Sequence, residues 1–119
     1  MTTQQYQQAS EHFLAQARQE LSDGDLAQAS EKGWDAATQM LNAIAEQRGW
    51  DHHRHRHYHQ AASRVRAETG DGEIRRLFDS ASALHENFYE NDMATDEVAE
   101  RLDDVEALMD KLSPLLNRP

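Results

Sequence analysis

The stretch TDEVAERLDDVEALMDKLSPLL, Thr95–Leu116, decides the fold class. Val98, Leu102, Val105, Met109, Leu112 and Leu116 recur at alternating steps of four and three, the spacing of the buried seam of a helical bundle. Asp103, Asp104, Glu106 and Asp110 fall on the other face. Thr95 is placed to open the helix, with Asp96 and Glu97 in the first turn, where the helix dipole favours negative charge.

The same period extends back through the chain. Val and Ile together number five and no segment alternates apolar with polar residues, so strands are not expected. A first helix, Thr3 to Ser22, aligns Tyr6, Ala9, Phe13, Ala17 and Leu21, and is stopped by Gly24. A second, Leu26 to Arg48, capped by Asp23 or Asp25, has a broad apolar face of Leu26, Ala29, Trp34, Ala37, Leu41 and Ile44. Gly33 and the alanines around it would let another helix come close, and Gly49 ends the segment. A thin third helix, His57 to Glu68, shows only Tyr58, Ala62 and Val65. After Gly70-Asp71-Gly72, a fourth from Glu73 to about Tyr89 aligns Ile74, Phe78, Ala81, His85 and Phe88. Short connections favour antiparallel neighbours, so the expected architecture is all-α: an antiparallel four-helix-bundle-like domain over residues 1–119 with one extra short helix. Such amphipathic faces also suit a homodimer.

No cysteine is present, which removes disulfides and thiolate metal sites. No leader pattern or long apolar run occurs, so a cytoplasmic protein without a membrane partner is expected. Formal net charge is −10, yet cations are unevenly placed. Arg48 to Arg76 holds seven of the twelve Lys+Arg and four of the twenty-two Asp+Glu, a balance of +3 against −13 elsewhere. The whole chain repels nucleic acid at long range, whereas a cationic stripe can still hold phosphates at short range under salt screening.

Within that segment lie His52, His53, Arg54, His55, Arg56, His57 and His59. Alternating Arg and His supply charge-assisted donors and groups that titrate near neutrality, the chemistry of a phosphate or RNA site. The pairs His53/His57 and His55/His59, four residues apart, also suit a metal on one helical face, although Arg54 and Arg56 between them would repel a dication. A solvated polar turn is the third possibility. Arg48 continues the apolar line of the second helix toward this turn. His85 falls in the apolar stripe of the fourth helix, with Asn87 beside it and Tyr89 one turn on, placed to act as a base or an orienting group. With no Gly-rich phosphate loop, no G-x-S-x-G, no H-E-x-x-H and no thiol, the remaining chemistry is that of His, Arg and Tyr, for which RNA cleavage is the natural example.

The blocks ASEKGWDAA (29–37), AEQRGW (45–50) and LHENFYEN (84–91) resemble the small prokaryotic PaREP-type proteins, grouped with the HEPN (higher eukaryotes and prokaryotes nucleotide-binding) superfamily. The resemblance runs from about Ser22 to Leu112 and implies a bundle of four or five helices, often dimeric. That superfamily includes toxin ribonucleases of toxin–antitoxin type and nucleotidyltransferase partners. Its active members carry an arginine four to six residues before a histidine in a cleft at the dimer interface. Arg48 with His53 or His55, and Arg54 with His59, fit that spacing, whereas His85 has Ser80 and Asp79 at those positions.

The expectation is therefore a HEPN-like protein that binds nucleotide or RNA without a cofactor, possessing, if active, a metal-independent ribonuclease site. Arg48, His53, His55, His85 and Tyr89 are the catalytic candidates. His52, Arg54, Arg56, His57, His59 and Asn87 are the binding candidates. The alternatives are an antitoxin-like or nucleotidyltransferase-partner interaction protein and a histidine-based metal binder.

Overall fold

The computed structural model describes residues 1–117 of the chain. Helices α1 (Thr3–Ser22), α2 (Leu26–Arg48), α3 (His55–Thr69), α4 (Glu73–Glu90) and α5 (Thr95–Leu112) are followed by a short 3₁₀ turn, Ser113–Asn117. Among the described residues there is no strand, and no helix is long and apolar enough to cross a membrane. The all-α expectation holds. The expected domain limit at Pro119 lies outside the described residues.

Helix α2 is the axis of the bundle: α1, α3, α4 and α5 all pack on it. Its composition allows this, because Ala29, Gly33, Ala36, Ala37, Ala43 and Ala45 offer little side-chain bulk and are fully buried, leaving Trp34, Met40, Leu41 and Ile44 to fill the gaps. A Cβ at Gly33 would stand 2.5 Å from Leu102 Cδ2 and 2.9 Å from Leu84 Cδ1, so α4 and α5 both depend on its absence. The seam of α5 is buried as its spacing requires, with Leu108 added to Val98, Leu102, Val105, Met109 and Leu112. Leu116 falls beyond the helix end, and Leu115 is the buried residue of the 3₁₀ turn.

Capping explains most boundaries. The Thr2 hydroxyl and Gln5 side chain cap α1 reciprocally. Asp25, rather than Asp23, accepts from the Gln28 N–H and opens α2, and Gly49 closes it at φ +72°, a left-handed conformation that glycine adopts without steric cost. Thr95 does not cap α5. The preceding residue is Ala94, which has no side-chain oxygen to offer, so Asp96 and Glu97 act on that end through charge.

Helix α3 starts two residues earlier than expected. The His57 Nδ1 accepts from the backbone N–H groups of His53 and Arg54, both at 3.1 Å, and this satisfies donors at the turn and lets the helix begin at His55.

Replacing Gly33 with Ala adds helix propensity of about 1 kcal/mol but forces two fully buried leucines to shift, an overpacking cost of about 1–3 kcal/mol. The expected net result is a melting temperature lower by several degrees, measured by thermal circular dichroism. An unchanged or raised midpoint would show that α4 and α5 do not need the close approach.

Candidate functional site

Side chains of α3 and α4 build a cluster of rings around Trp34 of α2, which is only 5% exposed. The His85 ring from α4 stacks on the indole at 4.8 Å between centroids, and the His55 ring from α3 stacks on it at 5.4 Å. His55 and His85 are themselves 5.7 Å apart, so the two imidazoles lie side by side over the indole rather than on opposite sides of it. Tyr89, one turn beyond His85, meets that ring edge-on at 5.6 Å and is 71% exposed. Behind them Tyr58 and Phe78 pack against Trp34, and His59 sits edge-on to Phe78 at 4.9 Å and 5.3 Å from His55.

Two carboxylates underlie the imidazoles. Glu31 and Asp35 stand one turn apart on α2, on the side that carries Trp34. The Glu31 Oε2 lies 3.3 Å from His85 Nδ1, placed to accept from that ring nitrogen. Partial burial, reinforced by the neighbouring Glu31 charge, pushes the Asp35 carboxyl up from the usual carboxylate range, against the opposing pull of Lys32 and His85. Burial of part of its ring pushes the His55 pKa below the ordinary 6.5, and the adjacent His59 and His85 lower it further. An imidazole biased toward its neutral form thus lies beside a second imidazole with a carboxylate at its back.

The expected convergence of Arg48 on this centre does not occur. Arg48 lies 17 positions along α2 from Glu31, about 25 Å by helical rise. Its guanidinium is held by both oxygens of Glu68, at 2.8 and 3.2 Å, and lies over Trp50. The histidine turn likewise divides. Residues two apart on a helix point about 200° from each other. His55 and His59 therefore face α4, whereas His57 turns inward, is 8% exposed and caps its own helix.

His52 is fixed by the Trp50 carbonyl, Glu46 at 3.3 Å and the Tyr6 ring, which ties α1 to the end of α2; His53 packs on it, away from His85. Asn87 is buried, donating to Ser30 Oγ and accepting from the Asp92 and Met93 N–H groups, so it closes the α4–α5 turn and has no atom free for a ligand. Arg54 and Arg56 are exposed at the start of α3. Among the described residues no three His, Asp or Glu are placed to share a metal ion.

A model of one protein family matches residues 5–109, described as the archaeal PaREP1/PaREP8 family. The chain belongs to the PaREP1/PaREP8 family. A crystal structure of a protein from Sulfolobus solfataricus is similar over 92% of this chain and 97% of that one, with a TM-score of 0.82 and 24% identity. At that identity the likeness speaks for the shared helical fold. No curated protein matches the chain. Every residue of the ring cluster falls inside the stretch that matches the PaREP1/PaREP8 model.

Within this PaREP1/PaREP8 chain, sequence reasoning located His55, His59, His85 and Tyr89 but assigned Trp34 only to the core and missed Glu31 and Asp35. The spacing of Glu31, Trp34 and Asp35 at i, i+3 and i+4 was the available signal, since it sets two acids beside the one large aromatic ring of α2. Histidine titration followed by NMR should place the His55 midpoint below 6.5, and His59→Gln should move it upward by removing a neighbouring positive charge. A midpoint at or above 6.5 would break the link between this geometry and a neutral His55.

Proposed function

We propose that this protein is a HEPN-like helical protein that binds a nucleotide or RNA at the cluster of Trp34, His55, His85 and Tyr89. The observation that carries this reading is the meeting of His55 and His85, thirty positions apart, over one indole beside an exposed tyrosine. Bases stack on aromatic and imidazole rings with little dependence on base identity, contributing about 1–3 kcal/mol each. Protonated imidazoles add charge-assisted donors for phosphate oxygens.

The pair also has the chemistry for metal-independent cleavage of RNA. Neutral His55 takes the proton of a ribose 2′-hydroxyl, the 2′-oxygen attacks phosphorus, and the bond to the 5′-oxygen breaks as His85 donates a proton to it. This assignment replaces the arginine–histidine pairing suggested by spacing, because Arg48 is committed to Glu68. A homodimer remains our reading of the assembly. The metal-binding alternative lacks a converging donor set among the described residues.

Binding of adenosine monophosphate and of a short RNA, followed by tryptophan fluorescence in a Trp50→Phe background, tests the site. Affinity should strengthen as pH falls from about 8 to 5.5, because protonation adds positive charge facing the ligand. The His55 share of that gain should continue below 6.5 before it levels off, since the pKa of the free protein's His55 is depressed. His85→Ala, with folding checked by circular dichroism, should weaken binding roughly ten-fold, the loss of one stacking ring. Flat affinity across that pH window together with an unaffected His85→Ala variant would refute the site. In excess chelator, the cleavage product should end in a 2′,3′-cyclic phosphate.

A further inference from the structure

Helix α3 differs from the rest of the molecule in what its charges do. Between His55 and Ala67 it carries no acidic residue, in a chain with twenty-two Asp+Glu against twelve Lys+Arg. Arg18, Arg48, Arg76, Arg101 and Lys111 all pair with carboxylates. By contrast Arg54, Arg56, Arg64 and Arg66, at and along α3, are exposed and have no carboxylate within ion-pair distance among the described residues. With acids so abundant, three unpaired arginines along one helix and a fourth at its N-cap make that element the cationic side of an acidic protein, whereas the other cations without a carboxylate partner among the described residues, Lys32 on α2 and Arg75 on α4, stand singly.

The helical phase orders these groups. His55, His59 and Arg66 follow one edge of α3, the edge that begins at the ring cluster, and Arg56 and Ser63 lie on its outer crest. A shallow, open hollow lined by His59, Gln60, Ser63 and Arg64 crosses the outer face of the helix from that edge. The Arg64 guanidinium is steadied over Trp50 at 4.1 Å, at the far side of that hollow. From His55 to Arg66 the path is about 16 Å long. A stacked strand advances about 3.4 Å per nucleotide, so several successive phosphates can lie along it.

We infer that the outer face of α3 is a track for the phosphodiester backbone of single-stranded RNA, leading to the ring cluster, so that the ligand is an oligonucleotide rather than a free mononucleotide. This rests on the nucleotide-binding reading of the cluster and narrows its substrate class. The occupant is chosen by charge: a net −10 chain that leaves these four arginines without partners presents complementarity to a polyanion.

The test compares adenosine monophosphate with a twelve-residue oligoadenylate, by fluorescence for the first and anisotropy of a labelled strand for the second, over a series of salt concentrations. Wild type should bind the oligonucleotide at least about ten-fold more tightly. The double substitution Arg64→Gln/Arg66→Gln should weaken the oligonucleotide several-fold and reduce the slope of log affinity against log salt by about 1.4, two phosphates at ~0.7 each for a single strand. Mononucleotide affinity should stay unchanged in that variant. Equal affinity for the two ligands, or an unaltered salt slope, overturns the track while leaving the cluster as a nucleotide site. Failure of both ligands to bind wild type refutes the cluster and the track together. If the double variant leaves RNA affinity intact but dissociates a dimer in sedimentation, the face belongs to a second copy of the chain and the track is wrong.

Discussion

The rest of the structure depends on how closely α4 and α5 approach α2 at Gly33. There the side chains of Leu84 and Leu102 occupy the space that a Cβ would need, and both leucines are fully buried. Close packing at this point fixes the lateral position of α4 against α2. The next residue, Trp34, is thereby set under the edge of α4, where His85 follows Leu84 by one position. The close helix contact and the ring cluster are thus adjacent on both helices: Gly33 beside Trp34, Leu84 beside His85. A loosened helix pair would lose the stacking of imidazole on indole along with its core packing.

Helix α3 is held by a different kind of contact. Its buried set is small, Ala61, Ala62 and Val65 with the inward His57, and much of what joins it to α2 and α4 is ring against ring. Imidazoles in that role can titrate, whereas leucines cannot. The outer surface of the same helix carries the unpaired arginines, so α3 combines a lightly built seat with a cationic face. This division lets a strongly acidic molecule keep one region open to anions, since the acids on α5 and α1 lie on other faces and are screened over about 8–10 Å at physiological salt.

Much of the fold was legible in the sequence because periodicity and caps are local properties. The bounds of α1 and α2 follow from an apolar period closed by Gly24 and Gly49, and the α5 seam is visible as spacing alone. The start of α3 was not, because it depends on a side-chain nitrogen of His57 accepting two backbone hydrogens, a hydrogen bond that no hydropathy pattern records. That shift of two residues matters for function. Helical phase decides that His55 and His59 meet α4 while His57 points inward, and a crowded run of histidines does not reveal its own phase. Arg48 was misplaced for the opposite reason. Its place at the end of α2 was correct, but the rings converge on Trp34, 14 positions and about 21 Å back along that helix, and the group that meets the Arg48 guanidinium is Glu68 at the end of α3. Glu31 and Asp35 were hidden because their importance arises only when a third helix sets His85 against them.

The electrostatics of the cluster are coupled, and that coupling is the physical content of the site. The His59 and His85 rings stand 5.3 and 5.7 Å from His55, so positive charge on either disfavours it on His55. The carboxylate of Glu31 at His85 and the half-buried Asp35 supply negative charge on the other side. Asp35 is pushed toward its neutral form by burial and by Glu31, while His55 is pushed toward its neutral form by burial and by two imidazoles. A phosphate placed against the imidazoles reverses the balance on that side, since it favours imidazolium and repels the carboxylates behind. Proton uptake is thus what the proposed phosphate binding would bring, because acids on α2 and imidazoles on α3 and α4 share one indole rather than facing water separately.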